Sequence, residues 1–348
     1  SHNVGMAFTG SFVYLQWAPE STFNTAAANI AGSAATQFGF EQKITSWSFT
    51  NNKIPLSQLN DVRVKTYAYG QTRGSISLDF VLSSPFFLEL VGFRNGDVTG
   101  AACDFTHTWD MCAMDSEAKL VQSFTTQIGQ CAGGTDIVRT LTGGIVNSAT
   151  VTTAVGETVK VSLDANYANE AETATLDACL APLSVCEAIP FTFAHGTLEF
   201  PSCPPTIISE VQDVDFTISQ NSDHLWGIGS SVAVNSFKRL FEITGKFKAS
   251  YTDTVQLRKL YAQQNDTLCN SPCGETLDVC AATLKLTFTN DLPTTAERTI
   301  TFAFTGISIA DHNLSIEPNE PIFEEINWQA RDCVVTANNS VATAPAAS

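Results

Sequence analysis

The residue types that could carry catalysis are present in the sequence, but they are not grouped. The five histidines are scattered along 348 residues, and none stands in a metal-binding pair such as His-Glu-x-x-His. Ser116-Glu-Ala-Lys119 has the spacing of a serine and lysine nucleophile motif, yet the companion motifs of lactamase-type enzymes are absent from the sequence. Gly143 and Gly144 precede a strand-like run and not a helix, which excludes a phosphate-binding loop. We therefore predict a protein that is not an enzyme and that uses no cofactor or metal ion.

Two carboxylates offer a weaker signal of binding. Asp213 and Asp215 stand two residues apart in a predicted strand, so both side chains point to one face. They could bind a cation or line a charged surface, and a solvated strand face is the interpretation we favour.

Cysteine is the other chemically distinctive residue type, with ten copies. Their spacings do not repeat the Cys-x-x-Cys pair of structural zinc sites. The even number favours disulfides, while free buried thiols and a metal site are the second and third interpretations. A nine-residue separation suits a hairpin or a tight loop, which makes Cys103 to Cys112 the best single pairing. The candidates are Cys103, Cys112, Cys131, Cys179, Cys186, Cys203, Cys269, Cys273, Cys280 and Cys333.

Composition bounds the class of protein. The chain carries 35 acidic and 18 basic residues, a net charge of −17, and no block of Lys or Arg that could grip nucleic acid. Hydrophobic residues make up 44% of the chain, which is typical of a globular protein. No apolar run of about 18 residues occurs, so neither a signal peptide nor a membrane span is predicted. Asn265, Asn313 and Asn338 begin glycosylation triplets that would matter if the chain were exported.

Short runs rich in Val, Ile, Phe and Thr, broken by Gly, Asn, Asp and Pro, predict a mainly β protein. In one predicted strand, residues 44–50, the alternation places Ile44, Ser46 and Ser48 on one face and Thr45, Trp47 and Phe49 on the other. Residues 75–81 alternate with Ile76, Leu78 and Phe80 inward. Two short helices are also predicted, one from Ser83 to a stop at Gly92 and one from Thr252 to Tyr261.

An internal repeat connects these elements. Four pairs of segments follow each other in the same order at offsets between 162 and 169 residues: 44–52 with 211–221, 73–93 with 241–261, 122–128 with 284–290, and 143–168 with 305–330. We therefore predict a duplication with a first half at 1–185 and a second half at 186–348, ending in a flexible tail at about 335–348. The alternative is that the halves are two faces of one large sandwich.

The same segments, in their order along the chain, carry a family resemblance: Trp17 to Thr25, Phe38 to Asn52, Arg73 to Phe80 with the helix after it, 123–128, 143–151, 156–165, 198–218 and 226–231. Their pattern resembles the tail tube proteins of long-tailed double-stranded DNA phages and archaeal viruses. The ten cysteines depart from that family's usual composition. The resemblance implies two tandem tube modules, each a packed antiparallel β-sandwich or barrel with a short flanking helix.

The resemblance also implies a function and partners. Rings of six modules would stack into a tube that conducts the genome from capsid to host, so three two-module chains would form each ring as a homotrimer. If each chain is one large sandwich, six chains form the ring. Expected partners are further copies of the chain, other tail proteins at the tube ends, and DNA passing non-specifically along an acidic inner wall, with no membrane. The expected location is the virion tail, assembled in the host cytoplasm.

Two other classes of function fit parts of the sequence. A secreted or cell-surface β-rich filament or adhesin subunit would account for the cysteines and the glycosylation triplets. A β-sandwich hydrolase or carbohydrate-binding module is the third class.

Overall fold

The computed structural model of the chain describes residues 13–27, 30, 36–59, 61–101, 104–111, 122–130, 137–173, 189–200, 206–208, 210–252, 283–290 and 298–339. These residues form 22 strands and two 3-10 helices, Phe86–Val91 and Phe193–His195. Every strand pairing is antiparallel. The predicted mainly β fold is confirmed.

The strands, in chain order, are β1 (Val13–Pro19), β2 (Phe40–Asn51), β3 (Ile54–Ser57), β4 (Val64–Ala68), β5 (Thr72–Val81), β6 (Arg94–Ala101), β7 (Asp104–Asp110), β8 (Phe124–Gln130), β9 (Ile137–Ala154), β10 (Lys160–Tyr167), β11 (Asn169–Thr173), β12 (Gly196–Phe200), β13 (Thr206–Ile207), β14 (Val211–Ser219), β15 (Asp223–Leu225), β16 (Asn235–Phe237), β17 (Glu242–Ser250), β18 (Thr283–Thr289), β19 (Thr299–Thr305), β20 (Ser308–Ser315), β21 (Phe323–Ala330) and β22 (Asp332–Asn339).

Two large sheets contain most of these strands. Eight strands run side by side through the main sheet in the order β2-β5-β10-β9-β14-β17-β21-β20. The first part of the long strand β9 leaves this path and pairs with β8 and β11, and β8 pairs in turn with β1. The other large sheet has the order β13-β12-β18-β19-β22-β7-β6. Strands β3 and β4, and strands β15 and β16, form two separate hairpins.

The pairing pattern of the first half recurs in the second half. The path β2-β5-β10-β9 is matched by β14-β17-β21-β20, and the path β1-β8-β9-β11 by β12-β18-β19-β22. Local irregularities recur as well. Gly143 and Gly306, 163 positions apart, have backbone φ of 64° and 65°, a left-handed conformation that favours glycine. Bulges place one extra residue at Asn147 and at Ala310, again 163 positions apart.

The hydrophobic core lies between the sheets and extends through both halves. In the second half, the Phe216 ring lies 4.9 Å from Phe302 and 5.0 Å from Phe304, measured between ring centroids. In the first half, Phe38 packs on Trp17 and on Phe80, both at 5.6 Å. Alternation along each strand sends these rings inward and leaves polar residues on the opposite face.

The first predicted helix is present in a tighter form. Phe86–Val91 is a 3-10 helix, and five of its six residues are buried, so it presents no polar face to solvent. It ends at Gly92, whose φ of 96° is left-handed, as the predicted stop requires. The second predicted helix lies outside the described residues after Thr252.

Two details of the sequence prediction are wrong. Strand β2 has an extra residue at Thr45, because Ile44 pairs with Leu78 and Ser46 with Ser77. This bulge moves Ile44 to the inward face with Trp47, and the simple alternation therefore fails there. The predicted tail also begins too early, since β22 continues to Asn339 and Val335 is fully buried. The alternation of Ile76, Leu78 and Phe80 is confirmed, because all three side chains are buried.

Candidate functional site: a polar sheet face between two open edges

The outward face of the eight-stranded main sheet is polar along its whole width. Hydroxyl and amide side chains dominate it, and several bond to each other across strands. Thr150 and Thr217 are 2.9 Å apart between their hydroxyl oxygens, and Ser48 and Ser75 are 2.8 Å apart. Such a face offers many weak hydrogen-bonding groups.

Charged side chains on this face are mixed, with a small excess of carboxylates. The acidic members are Asp79, Asp164, Asp213, Asp215, Glu242, Asp311 and Glu325, and the basic members are Lys43, Arg73, Lys160, Lys246 and Lys248. The hydroxyl of Ser77 donates to Asp164 at 2.6 Å, and that of Ser162 donates to Asp79 at 2.7 Å. The face is therefore weakly acidic, and two of its carboxylates, Asp79 and Asp164, accept hydrogen bonds from neighbouring serines.

The predicted carboxylate pair lies on this face. Partial burial raises the pKa of Asp215, against the opposing attraction of Lys246, whose Nζ is 3.3 Å away. The same contact raises the pKa of Lys246. Within the described residues, no group of three or more metal-ligating side chains comes together. The pair thus forms part of a solvated strand face, with Lys246 as its cation.

The two halves meet in the middle of the sheet, where β9 pairs with β14. Thr150 lies opposite Thr217 and Val151 opposite Phe216 in this pairing. The inward side chains at this internal junction are buried, since Val151 is 2% exposed and Ile218 is 1% exposed. Strand pairing and core packing therefore continue from one half to the other without a break.

The two ends of the sheet are open. Among the described residues, β2 pairs only with β5, and β20 pairs only with β21. Phe49 of β2 is 42% exposed, although its positional counterpart Ile218 is buried. Leu314 of β20 is 40% exposed, although its counterpart Val151 is buried. Apolar side chains at positions that are buried at the internal junction are thus partly exposed at both ends, although the Phe49 ring stacks on Tyr167 at 5.9 Å.

The open ends carry opposite charge. Residues 40–72, which contain β2 and the hairpin β3–β4, have four basic and two acidic residues. Residues 308–325, which contain β20 and the turn after it, have five acidic residues and neither Lys nor Arg. In a chain with 35 acidic and 18 basic residues, this local excess of positive charge at one end stands out. The two ends are therefore electrostatically complementary.

A hairpin strengthens the internal junction. Asp223, at the base of hairpin β15–β16, is bridged by Arg73 of the first half and by Arg239, whose Nη2 lies 3.1 Å from it. The next residue, buried His224, has its Nε2 3.0 Å from the carbonyl oxygen of Gly143. The Thr72 amide donates to the carbonyl of Ser231 at 2.8 Å. The second-half hairpin thus rests on the first half.

Gly143 also links His224 to a second buried group. The Gly143 amide donates to Glu20 at 2.8 Å, and the hydroxyl of Thr125 donates to the same carboxylate at 2.9 Å. Burial raises the pKa of Glu20 despite these donors. Burial lowers the pKa of His224, and the nearby Arg73 adds to that effect.

Of the ten cysteines predicted as disulfide candidates, the structure describes Cys333 alone. It is a buried free thiol, and burial raises its pKa well above the usual range. The other nine lie outside the described residues, so the disulfide hypothesis and the Cys103 to Cys112 pairing stay predictions. Asn313 lies on the open strand β20, while the side chain of Asn338 accepts a hydrogen bond from Thr106 inside the second sheet. Asn265 lies outside the described residues.

Sequence reasoning did not find the open edges. The signal was present in Phe49 and Leu314, which continue the inward alternation of their strands but have no partner strand within the described part of the chain. Only the three-dimensional order of the strands shows which ones are at the edges.

Within the described residues, no helix has the length and apolarity needed to cross a membrane. No curated protein sequence matches the chain. A family model described as "Phage tail tube protein" matches residues 10–330, which include all of the main sheet, both of its open edges and the hairpins between its strands. A match over nearly the whole chain, on a β-rich fold with a polar face and open, complementary ends, shows that this chain belongs to the phage tail tube protein family.

Proposed function

We propose that three copies of this structural tail protein form a ring by pairing β20 of each copy with β2 of the next. Stacked rings then form the tube through which double-stranded DNA passes. The observation that carries the proposal is the match between the internal junction and the two ends. The ends leave exposed the apolar positions, Phe49 and Leu314, whose counterparts the β9 and β14 pairing buries.

The internal junction supplies a template for the register between copies. Asn313 is the counterpart of Thr150, 163 positions earlier, because they pair with Glu325 and Ser162, which are also 163 positions apart. Ser48 is the counterpart of Thr217, 169 positions later, by the same reasoning through β5 and β17. Since Thr150 lies opposite Thr217, we expect Asn313 to lie opposite Ser48 of the next copy.

The number of chains in the ring follows from a tandem duplication. We infer two tube modules, at 1–185 and 186–348, and the recurrence of both strand paths supports them. Three chains then supply six modules, in a head-to-tail arrangement that closes by threefold rotation. The alternative of six whole chains would place twelve such modules in one ring.

The polar face of the main sheet would line the lumen. Its mixture of hydroxyls and a slight excess of carboxylates gives DNA phosphates no cluster of cations to bind. Lys246, one of the cations on the face, is paired with Asp215. The genome can then slide along the wall instead of being held by it. Other tail proteins would close the ends of the tube, which would assemble in the host cytoplasm.

Cysteine cross-linking tests the ring directly. The variant with Ser48→Cys and Asn313→Cys should form a disulfide between copies, identified by mass spectrometry of non-reduced peptides. In the matched control, Thr217→Cys replaces Ser48→Cys, and no link between positions 217 and 313 should form because β9 already covers β14. Electron microscopy should show rings with threefold symmetry. A tube sharpened by sixfold averaging, or equal linking in the control, would contradict the proposal.

A further inference from the structure

The hairpin β3–β4 carries an apolar surface that nothing described in the chain covers. Its exposed residues include Ile54, Leu56 and Val64 in the strands and Leu59 and Val62 at the tip, the last two fully exposed. Tyr67 and Tyr69 of the same segment are exposed as well. An exposed apolar group of this size on one hairpin is typical of an interaction surface.

The second-half hairpin β15–β16 is its positional counterpart. Ile54 pairs with Ala68, and Asp223 pairs with Phe237, with each residue 169 positions from its counterpart. The two hairpins therefore share one register over three residue pairs, and β3–β4 continues past a bulge to one further pair, Ser57 with Val64. They differ in their surroundings, since β15–β16 rests on the first half through Asp223, His224 and Ser231.

The surfaces that receive the two hairpins differ in a matching way. In the first half, residues 71–73 receive hairpin β15–β16, with the Thr72 amide bonded to Ser231 and Arg73 bonded to Asp223. In the second half, the same positions are Leu240, Phe241 and Glu242. Leu240 is 70% exposed.

Polar residues are thus replaced by apolar ones at two positions on each side, while Glu242 keeps a charge where Arg73 stands. Ile54 and Pro55 take the positions of Asp223 and His224. Leu240 takes the position of Gln71 on the receiving side. Exposed apolar side chains on both surfaces, Ile54 and Leu240, favour contact between them, because contact removes apolar area from water.

We propose that hairpin β3–β4 of each copy docks on residues 240–242 of the neighbouring copy in the same ring, with a second copy of this chain as the occupant. The inference rests on the proposed ring. Ile54 contacts Leu240 there, and the counterparts of Asp223 and Arg73, which are Ile54 and Glu242, form no ionic bridge. The amide of Phe241 in one copy donates to the Val62 carbonyl of the next copy, as Thr72 donates to Ser231 within the chain.

A charge transplant tests this docking. Ile54→Asp places a carboxylate against Leu240 and Glu242, and it should raise the protein concentration needed for ring formation about tenfold or more. Adding Glu242→Arg recreates the pairing of Asp223 with Arg73 and should restore most of the assembly. Ring formation is measured by analytical ultracentrifugation, and folding of each monomer is checked by circular dichroism. The matched control is Val155→Asp, an exposed apolar residue outside the patch, which should form rings like the wild type.

Three outcomes would overturn the docking: rings of Ile54→Asp that form at the wild-type concentration, a double variant that assembles no better than Ile54→Asp alone, or an equal defect in the control. In all three, wild-type rings still form and the proposed function stands. A wild-type chain that never forms threefold rings would instead contradict the proposed function itself.

Discussion

The internal junction and the two open ends of the main sheet are counterparts, but one is complete and the other is not. At the junction, β9 and β14 pair, and Ile218 is buried. At the ends, β2 and β20 have one neighbour each among the described strands, and Phe49 is 42% exposed. The difference supports the proposed ring, because in that ring the internal junction is the template for the contact between copies. The contact that the open ends lack then has an intact equivalent within one chain.

The largest expected effect comes from replacing two counterpart residues with alanine in separate variants. Ile218→Ala removes a buried side chain at the internal junction and should lower the free energy of unfolding of the monomer by about 2–5 kcal/mol. Phe49→Ala removes a larger side chain at the open end and should change monomer stability far less, because the residue is half in solvent. Urea unfolding of both variants measures these changes.

The same pair should behave in the opposite way in assembly. Phe49→Ala should weaken ring formation while the monomer stays folded, since in the proposed ring β20 of another copy covers Phe49. If Phe49→Ala destabilises the monomer as strongly as Ile218→Ala, or assembles normally, the ends are not incomplete copies of the junction.

A second test concerns how the two halves fill equivalent regions of the core, between β5 and β10 in one half and between β17 and β21 in the other. In the first half, Tyr167 lies opposite Gly74, and Ala165 lies opposite Ile76. In the second half, Ala330 lies opposite Ile243, and Trp328 lies opposite Gly245. Each half thus pairs one large aromatic ring with a glycine, but the pair in the second half lies two residues further along β17 than in the first half. The four side chains fill a similar total volume in both halves.

This packing predicts a steric effect at Gly245. A Cβ atom there would overlap the ring of Trp328, so Gly245→Ala should destabilise the monomer by about 1–3 kcal/mol. In the matched control, Gly227→Ala, the nearest atom is 3.6 Å from the new Cβ, and the effect should be small. Thermal unfolding compares the two, and equal melting temperatures would show that the ring yields without cost.

The different positions of Gly74 and Gly245 also show which parts of the fold could be predicted from the sequence. Alternation predicted the β class and the inward face of β5, because those depend on local order. The repeat was visible in segment order, but its register was not. Gly74 aligns with Ile243 and Ile76 with Gly245, so the aligned residues are dissimilar although their cross-strand pairs are equivalent.

Other features depend on contacts distant in sequence. The bulge at Thr45 shifts the face of Ile44, and no nearby glycine or proline marks it. The open edges depend on the order of strands in the sheet, which alternation does not determine. For the candidate site, the acidic excess was predictable from composition, but the complementary ends and the two counterpart hairpins were not.

The smallest expected effect is a pH dependence confined to the internal junction. His224 lies buried with its Nε2 against the Gly143 carbonyl, while Arg73 and Asp223 are the charged groups that face it. Burial lowers its pKa in the folded chain below the usual value of roughly 6.5. The unfolded chain then binds the proton more tightly than the folded chain does. The free energy of unfolding is therefore highest at pH values above this usual pKa, and it decreases as the pH drops below it. Pro55 occupies the position of His224 in hairpin β3–β4, so this histidine has no counterpart there.

Urea unfolding of the monomer at pH 7.5 and pH 5.5 measures the effect. The wild-type midpoint should fall on acidification, and His224→Gln should reduce that fall, because a glutamine amide can still donate to Gly143 but carries no charge at either pH. His195→Gln, at an exposed histidine away from the junction, should retain the wild-type fall. An equal fall in all three proteins would place the acid sensitivity elsewhere, for example in the carboxylates of the polar face. If the decrease in the urea midpoint is lost only in His224→Gln, the acid sensitivity lies where the two halves meet.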